Sequence, residues 1–481
     1  MGQIFSSNRH SPLQTSPHKT EADIRDSSLE VDCLSQDNQQ VPATDAIPLL
    51  KKAKGHYWYP TTGPKILDAC GGAGVACLGH GRKDIAKAVS KQMSKIHYAS
   101  YAHFKLDPVL ELEKFLIEST EGVMGKVYLM CSGSEATEAS LKLALEYHIW
   151  NHQPSRINFI SRSESYHGTT LGSLSASGHP ARREPFLSLL NRENFSHIPA
   201  CNPYRQRLPS ETDVAFIARK TAELETEFLR LGPETVAAVI LEPVVGAALG
   251  CVPPPKGYLA AIKTVCKKYG ALVIFDEVMC GMGRTGWLHA WQEENTPPDL
   301  QCTAKSFSAG YLPASALLVS SSITQFMNNS SPQKTFTHGH TYQNHPAVAA
   351  AALKVQRIIR DEHLLENVQT QGALLERLLK ERLATHQNVG EIRGKGLFWG
   401  IEFVTEKKTK QPFAPEMQIA QLVQKLAMKK YQVLVYHGQG CAGERRGDHV
   451  MVMPAYDVSS GLVREIVERV SKAVEEVFRD L

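Results

Sequence analysis

The chain is poor in several features that mark whole classes of protein. It has ten cysteines in 481 residues, and no two stand as C-x-x-C. That argues against a zinc ribbon or a thioredoxin-type motif, and the density is too low for a disulfide scaffold. A reducing, intracellular setting fits such usage. No apolar run approaches the roughly 20 residues that a membrane span needs. The longest candidate, 236–252, is broken by Glu242, Pro243 and glycines. Charge of one sign is scarce as well. The net value is +4 from 53 basic and 49 acidic residues, scattered rather than gathered into the basic stripe of a nucleic-acid binder. Hydrophobic residues make up 42% and charged residues 21%, as in ordinary soluble globular chains. A wholly disordered, collagenous or coiled-coil protein is therefore excluded.

What is present divides unevenly along the chain. Residues 1–45 are rich in Ser, Gln, Asn and Asp, with Phe5 the only aromatic. Such a segment cannot bury enough apolar surface to offset its ordering entropy, and it is expected to be a disordered tail without secretory-signal blocks. It opens Met-Gly-Gln-Ile-Phe-Ser, which fits the myristoylation pattern at Gly2 or is chance in a polar tail. One acyl chain would give only weak, reversible membrane association. From about Leu49 short β-rich runs alternate with helical patterns. Strands are expected at 126–130, 157–161, 236–241, 271–276, 397–404 and 449–453, and helices at 135–150 and 257–269. A long helical stretch covers 346–386, with a break near 361–363. This alternation predicts a large, mostly parallel α/β sheet covered by helices. A smaller α+β domain would come from both chain ends. The expected division is 46–110 for the first part of the small domain, 111–345 for the large domain and 346–481 for the long helix and the rest of the small one.

Four segments carry chemistry. In Ala271-Leu-Val-Ile-Phe-Asp-Glu-Val-Met-Cys-Gly-Met-Gly-Arg-Thr-Gly286 an apolar strand runs into two carboxylates and a glycine-rich loop. Asp276 would sit where open α/β sheets bind ligands, or would merely cap a following helix. Lys305 is flanked by Thr303, Ala304, Ser306, Ser308, Ala309 and Gly310. Such small neighbours let a flat ligand approach, and an uncharged amine there could form a Schiff base, whereas most lysines are solvated. Met130-Cys-Ser-Gly-Ser-Glu-Ala-Thr137 stands at a strand-to-helix junction. Its N–H groups and serine hydroxyls suit a phosphate, or only an ordinary N-cap. In Ser165-Tyr-His-Gly-Thr169, Tyr166 or His167 could stack on a cofactor ring or pack in the core.

Together, in this order, these segments resemble the class III pyridoxal-phosphate aminotransferases, the fold-type-I subgroup of ornithine, 4-aminobutyrate and ω-amino acid:pyruvate transaminases. Further matches are Leu67-Asp-Ala-Cys-Gly-Gly-Ala-Gly-Val-Ala-Cys-Leu-Gly-His80, Leu241-Glu-Pro-Val-Val245, His338-Gly-His-Thr-Tyr-Gln-Asn-His-Pro346 and Gly394-Lys-Gly-Leu-Phe-Trp-Gly-Ile-Glu402. The resemblance runs from about Tyr57 to the C-terminus and includes the spacing from Asp276 to Lys305. It implies that Lys305 holds pyridoxal phosphate as a Schiff base and moves the substrate proton. Asp276 would pair with the pyridine nitrogen, Gly133 and Ser134 would cradle the phosphate, and Tyr166 would stack on the ring with His167 beside it. Thr341 would reach the phosphate of a neighbouring subunit, which implies a homodimer with composite sites. His338, His340 and His345 are, on this resemblance, no metal site, and no metal is expected.

Two positions depart from the best-known members. Met279 stands where many have Gln, and Met451 where many have an Arg that anchors an α-carboxylate. Both resemble the ω-transaminase side of the class. The carboxylate of an oxo-acid acceptor would then need another cation. Arg445 or Arg446 in the glycine-rich stretch 440–448 is one candidate, with Glu242 restraining a substrate-side cation; a solvated loop is the alternative for both arginines. The expected function is ping-pong transfer of an amino group between a donor amine or amino acid and an oxo acid, in the cytoplasm. The alternatives are another reaction on the same cofactor, a decarboxylation or an aminomutase shift, or a catalytically silent interaction protein.

Overall fold

A computed structural model describes residues 47–481. Gly2 and the segment 1–45 therefore lie outside the described residues. The centre of the fold is a seven-stranded sheet. Its strands are β1 (Met124–Met130), β2 (Asn158–Arg162), β3 (Phe195–Ile198), β4 (Val236–Leu241), β5 (Leu272–Asp276), β6 (Leu300–Thr303) and β7 (Ser315–Ser320). They lie in the order β1-β7-β6-β5-β4-β2-β3. The pairs from β3 through β2, β4 and β5 to β6 are parallel, whereas β7 runs antiparallel to both β6 and β1. The reversal follows from the short link 304–314, which has no room for the crossover helix a parallel return requires.

Strands β4 and β5 are buried along their whole length, as expected where helices cover both faces of a parallel sheet. Their side chains alternate. Ala238, Ile240 and Ile274 pack on one face with Ala136, Leu143 and Ala144 of the helix Gly133–Trp150. Val239, Leu241, Val273 and Phe275 pack on the other with Phe216, Leu224 and Phe228 of the helix Asp213–Leu231 and Ile262 of the helix Tyr258–Tyr269. The two-residue period places Asp276 and Glu277 on opposite sides where β5 ends.

Two smaller sheets use the chain ends. Ile66–Asp68 pairs in parallel with Val433–Leu434, and Val389–Lys395, Phe398–Phe403, Asp448–Val452 and Tyr436–Gln439 form an antiparallel sheet. The long helical stretch divides into Pro346–Asp361 and Leu364–Leu383, with His363 in the left-handed region at φ 52°. A buried ion cluster fixes the antiparallel sheet. Glu402 accepts from Arg205 Nε at 2.6 Å and pairs with Arg393. Arg393 also donates to the carbonyls of Leu249 and Gly250, which lie on the loop after β4.

Two fully buried histidines set an acid limit. Burial pushes His289 down to about 4 and His449 down to about 3, against roughly 6.5 in the unfolded chain. A depressed folded pKa gives stability that is complete above the unfolded value and lost as pH falls toward the folded one. The thermal midpoint is therefore expected to fall on acidification from about pH 6.5 to 4. His289→Gln, scanned at the same pH values, should show a shallower fall.

Candidate active site

The cavity at the C-terminal ends of β4, β5 and β6 measures about 530 Å³. Asp276 enters it from the end of β5. Its Oδ2 lies 2.8 Å from Nδ1 of His167, and its Oδ1 accepts from the Val278 N–H at 3.0 Å. His167 is buried, and its Nε2 has no hydrogen-bond partner among the described residues. Glu277 points away from the cavity and accepts from the N–H groups of Ala290 and Trp291. Burial pushes its carboxyl up to about 8.

Lys305 opens the short 3₁₀ turn Lys305–Phe307 directly beyond β6, at φ 48°. The turn is held from behind. Gln356 Nε2 donates to the carbonyls of Ser306 and Phe307, and Ser306 Oγ donates to the Gly74 carbonyl. Burial pushes the Lys305 ammonium down, against the attraction of Asp276 and Glu242. A lowered ammonium pKa of this kind favours nucleophilic use of the amine.

Opposite these groups begins the helix Gly133–Trp150. Ser132 Oγ accepts from the Glu135 N–H, and Glu135 returns a carboxylate to the N–H groups of Ser132 and Cys131. This capping box leaves the N–H groups of Gly133 and Ser134 without intrahelical acceptors. A side chain at Gly133 would strike Val278 at 2.8 Å, and one at Gly168, where φ is +140°, would strike Ser134 Oγ at 2.7 Å. The bare backbone there suits an anion such as a phosphate. Tyr166, Glu242 and Met279 complete the wall. Glu242 accepts from the N–H groups of Tyr166 and Gly246, and burial raises its carboxyl. A larger cavity of about 760 Å³, lined by Phe115, Trp287 and Arg360, holds none of these groups.

A family model described as aminotransferase class-III matches residues 39–474. An aminotransferase of Gibberella zeae is 44% identical, over 86% of this chain and 81% of its own length. An aminotransferase of Schizosaccharomyces pombe is 41% identical, over 89% and 92%. This chain belongs to the class-III aminotransferases. Among solved structures, the omega transaminase of Pseudomonas jessenii in complex with PMP superposes on this aminotransferase with a TM-score of 0.82, at 32% identity over 90% of this chain and 93% of that one. The aminotransferase is thus an enzyme of PLP fold type I that carries out pyridoxal-phosphate-dependent transamination, the class's reaction. Nothing in these comparisons favours a decarboxylase, an aminomutase or a silent interaction protein.

Of the residues singled out in the sequence, the aminotransferase gathers Lys305, Asp276, Gly133, Ser134, Tyr166, His167 and Glu242 around one cavity. Four others it places elsewhere. Arg445 is exposed and pairs with Glu184, and Arg446 reaches Glu444 at 3.1 Å; neither lines the cavity. Met451 is fully buried between the paired backbones of Gly400 and Tyr436, and it packs with Met453 and Phe398 in the core. Thr341 is exposed on the loop before the helix Pro346–Asp361, and its carbonyl accepts from Tyr98 at 3.0 Å. Cavity residues that the sequence did not flag include Arg182, Cys131 and Tyr436. No group of His, Cys, Asp and Glu among the described residues could hold a metal.

Proposed function

We propose that the cavity holds pyridoxal phosphate with its phosphate at Gly133 and Ser134, its ring against Tyr166 and its reactive end at Lys305. The observation that carries this reading is the convergence of a buried lysine amine, a buried carboxylate and an uncovered helix start on one cavity. When bound, the cofactor supplies an electron sink for charge that develops on the substrate carbon. Asp276 would pair with the ring nitrogen, and His167 holds that carboxylate in place through Nδ1. Lys305 takes the substrate proton on Nζ and delivers it, a short transfer suited to a depressed lysine pKa. The apolar wall of Val278, Met279 and Ala247 keeps water from the reacting atoms. Amino transfer from a donor amine or amino acid to an oxo acid is the expected net reaction. The test is a panel of amines and amino acids mixed with purified holoenzyme. A donor that converts the bound cofactor to its amine form, followed by an oxo acid that restores it, supports the reading. No conversion with any donor refutes it.

A homodimer with shared sites belongs to the same reading. Tyr98 and Tyr342 are 39% and 61% exposed beside the Thr341 loop, with ring centroids 6.2 Å apart, an aromatic pair suited to a second copy. Mixing inactive Lys305→Ala with inactive Thr341→Asp is expected to regain activity that neither parent has, because each hybrid then owns one intact site. Full activity in a monomer would count against it. Nine described cysteines form no disulfide, and no helix among the described residues is long and apolar enough to cross a membrane. We place the enzyme in the cytoplasm on the first of these grounds.

A further inference from the structure

Tyr456 lies between the strand Asp448–Val452 and the helix Ser460–Arg479, and it is fully buried. It is not among the residues that line the active-site cavity, yet its hydroxyl stands between the two segments that carry Asp276 and Lys305. Its Oη is 3.0 Å from the carbonyl of Met282, on the loop that follows Asp276, and 3.1 Å from Oγ of Ser306, the residue after Lys305. The ring presses on the same loop. A side chain at Gly283, where φ is +97°, would strike Tyr456 Cε2 at 2.9 Å. Tyr456 is itself held firmly. Its N–H donates to the Cys77 carbonyl at 2.7 Å, and Asn367 donates to its carbonyl at 2.6 Å. The guanidinium carbon of Arg284 stands 4.7 Å from its ring centroid. Arg284 is fully buried and donates to the carbonyls of Gly74, Leu397 and Pro454. The same Gly74 carbonyl accepts from Ser306 Oγ at 3.2 Å.

We propose that Tyr456 is a positioning residue for Lys305 and Asp276: its hydroxyl ties the turn of the lysine to the loop after the carboxylate and so fixes the one relative to the other. The assignment rests on the aminotransferase reading of the cavity. A phenol has one proton to give, and a serine hydroxyl can give or accept. The Met282 carbonyl can only accept, so the phenol proton goes there. The Ser306 hydroxyl then donates to Tyr456 Oη or to the Gly74 carbonyl. Burial pushes the phenol pKa up, so the proton stays in place at neutral pH. Lys305 needs such support. Its φ of 48° lies in the left-handed region, where a residue other than glycine persists only if its surroundings hold it there. Gln356 grips the carbonyls of the turn, and Tyr456 adds the tie to the Asp276 loop. Without that tie the Lys305 backbone relaxes, its amine gains water, and proton transfer loses alignment. Substrate contacts are untouched, because the phenol is outside the cavity.

The experiment compares Tyr456→Phe and Ser306→Ala, which remove the bridge from either end with little change of shape, and the double variant. In holoenzyme, Tyr456→Phe is expected to slow the half-reaction with a donor that converts wild type roughly 3- to 10-fold, as for loss of one neutral hydrogen bond. The apparent affinity for that donor should be nearly kept, since no substrate contact is removed. A second readout needs no turnover. In the full chain freed of cofactor, reductive methylation of Lys305 is followed across pH by mass spectrometry of its peptide. The Lys305 amine should titrate at higher pH in both single variants, toward the ordinary lysine value of about 10.4. The double variant should show no more than the stronger single one, because both break one contact. A lower melting temperature with wild-type half-reaction and wild-type Lys305 titration would mean a purely structural phenol and overturns the assignment. So does a loss confined to donor affinity, and so do additive losses in the double variant. If no donor converts wild type, the function reading fails, and the Lys305 titration still decides for or against Tyr456.

Discussion

Lys305→Ala is expected to lower turnover by roughly 10⁴-fold or more. General acid–base transfer by one positioned side chain contributes about 10²–10⁴ on its own, and Lys305 is also the proposed covalent anchor of the cofactor. Among the described residues lining the cavity, Lys305 is the one amine. The burial that depresses its ammonium is specific to the turn after β6, where Gln356 and Ser306 hold the backbone. Borohydride reduction of wild type followed by peptide mapping should place the adduct on the Lys305 peptide, and the variant should carry none. An adduct on another lysine, or a variant with substantial turnover, would refute the assignment. Circular dichroism of the variant should match wild type, because its removal frees space in the cavity without opening the core.

Asp276→Ala should lose nearly all turnover while the fold survives. A preorganised charge in a dry site is commonly the largest catalytic contribution, and single donors elsewhere are worth roughly 2.7–4 kcal/mol, or about 10²–10³ in rate. Here the loss is compounded. Asp276 is buried, and its Oδ2 is the partner of His167 Nδ1. Removing it leaves both ring nitrogens of a buried imidazole without partners, so the ring loses its fixed orientation as well. Asn is the less clean replacement, since it keeps the shape and one hydrogen bond. Half-reaction rates, measured after confirming that cofactor content is unchanged, separate loss of chemistry from loss of binding. Wild-type rates in the alanine variant would show that the ring nitrogen needs no charged partner in this enzyme.

Much of this site was legible because its signals are local. The run 271–276 is apolar and ends in carboxylates, and a strand cannot place adjacent side chains on the same side. One of the pair was therefore bound to face the ligand edge. Ser132 and Glu135 have the spacing of a capping box, and they start the helix two residues before the expected 135. The break before Leu364 also showed, as loss of the helical apolar pattern. Less legible were β3, β6 and β7. Strand β3 carries Ser196 and His197 on half-buried faces, which blurs its alternation. Strands β6 and β7 are short, and their reversed pairing depends on the length of the link, which no side-chain pattern encodes. Met451 counted among the substrate-side candidates because it stands where many relatives have a carboxylate-anchoring arginine. Pairing with Gly400 and Tyr436 instead turns it into the core. Arg182 gave no periodic signal at all, since it lies in a proline-bounded single turn and reaches the cavity only through tertiary placement.

The ion cluster at Glu402 has a consequence for how the enzyme fails. Arg393 is shared between the C-terminal antiparallel sheet and the carbonyls of Leu249 and Gly250. The loop that begins at Glu242 and includes Ala247, both part of the cavity wall, is therefore suspended from that sheet. Breaking one member of a buried charge cluster strands the others, at a typical cost of about 3–5 kcal/mol. The wall thus has no inexpensive way to open by itself. Inactivation by heat and loss of the sheet are therefore expected to coincide in one transition.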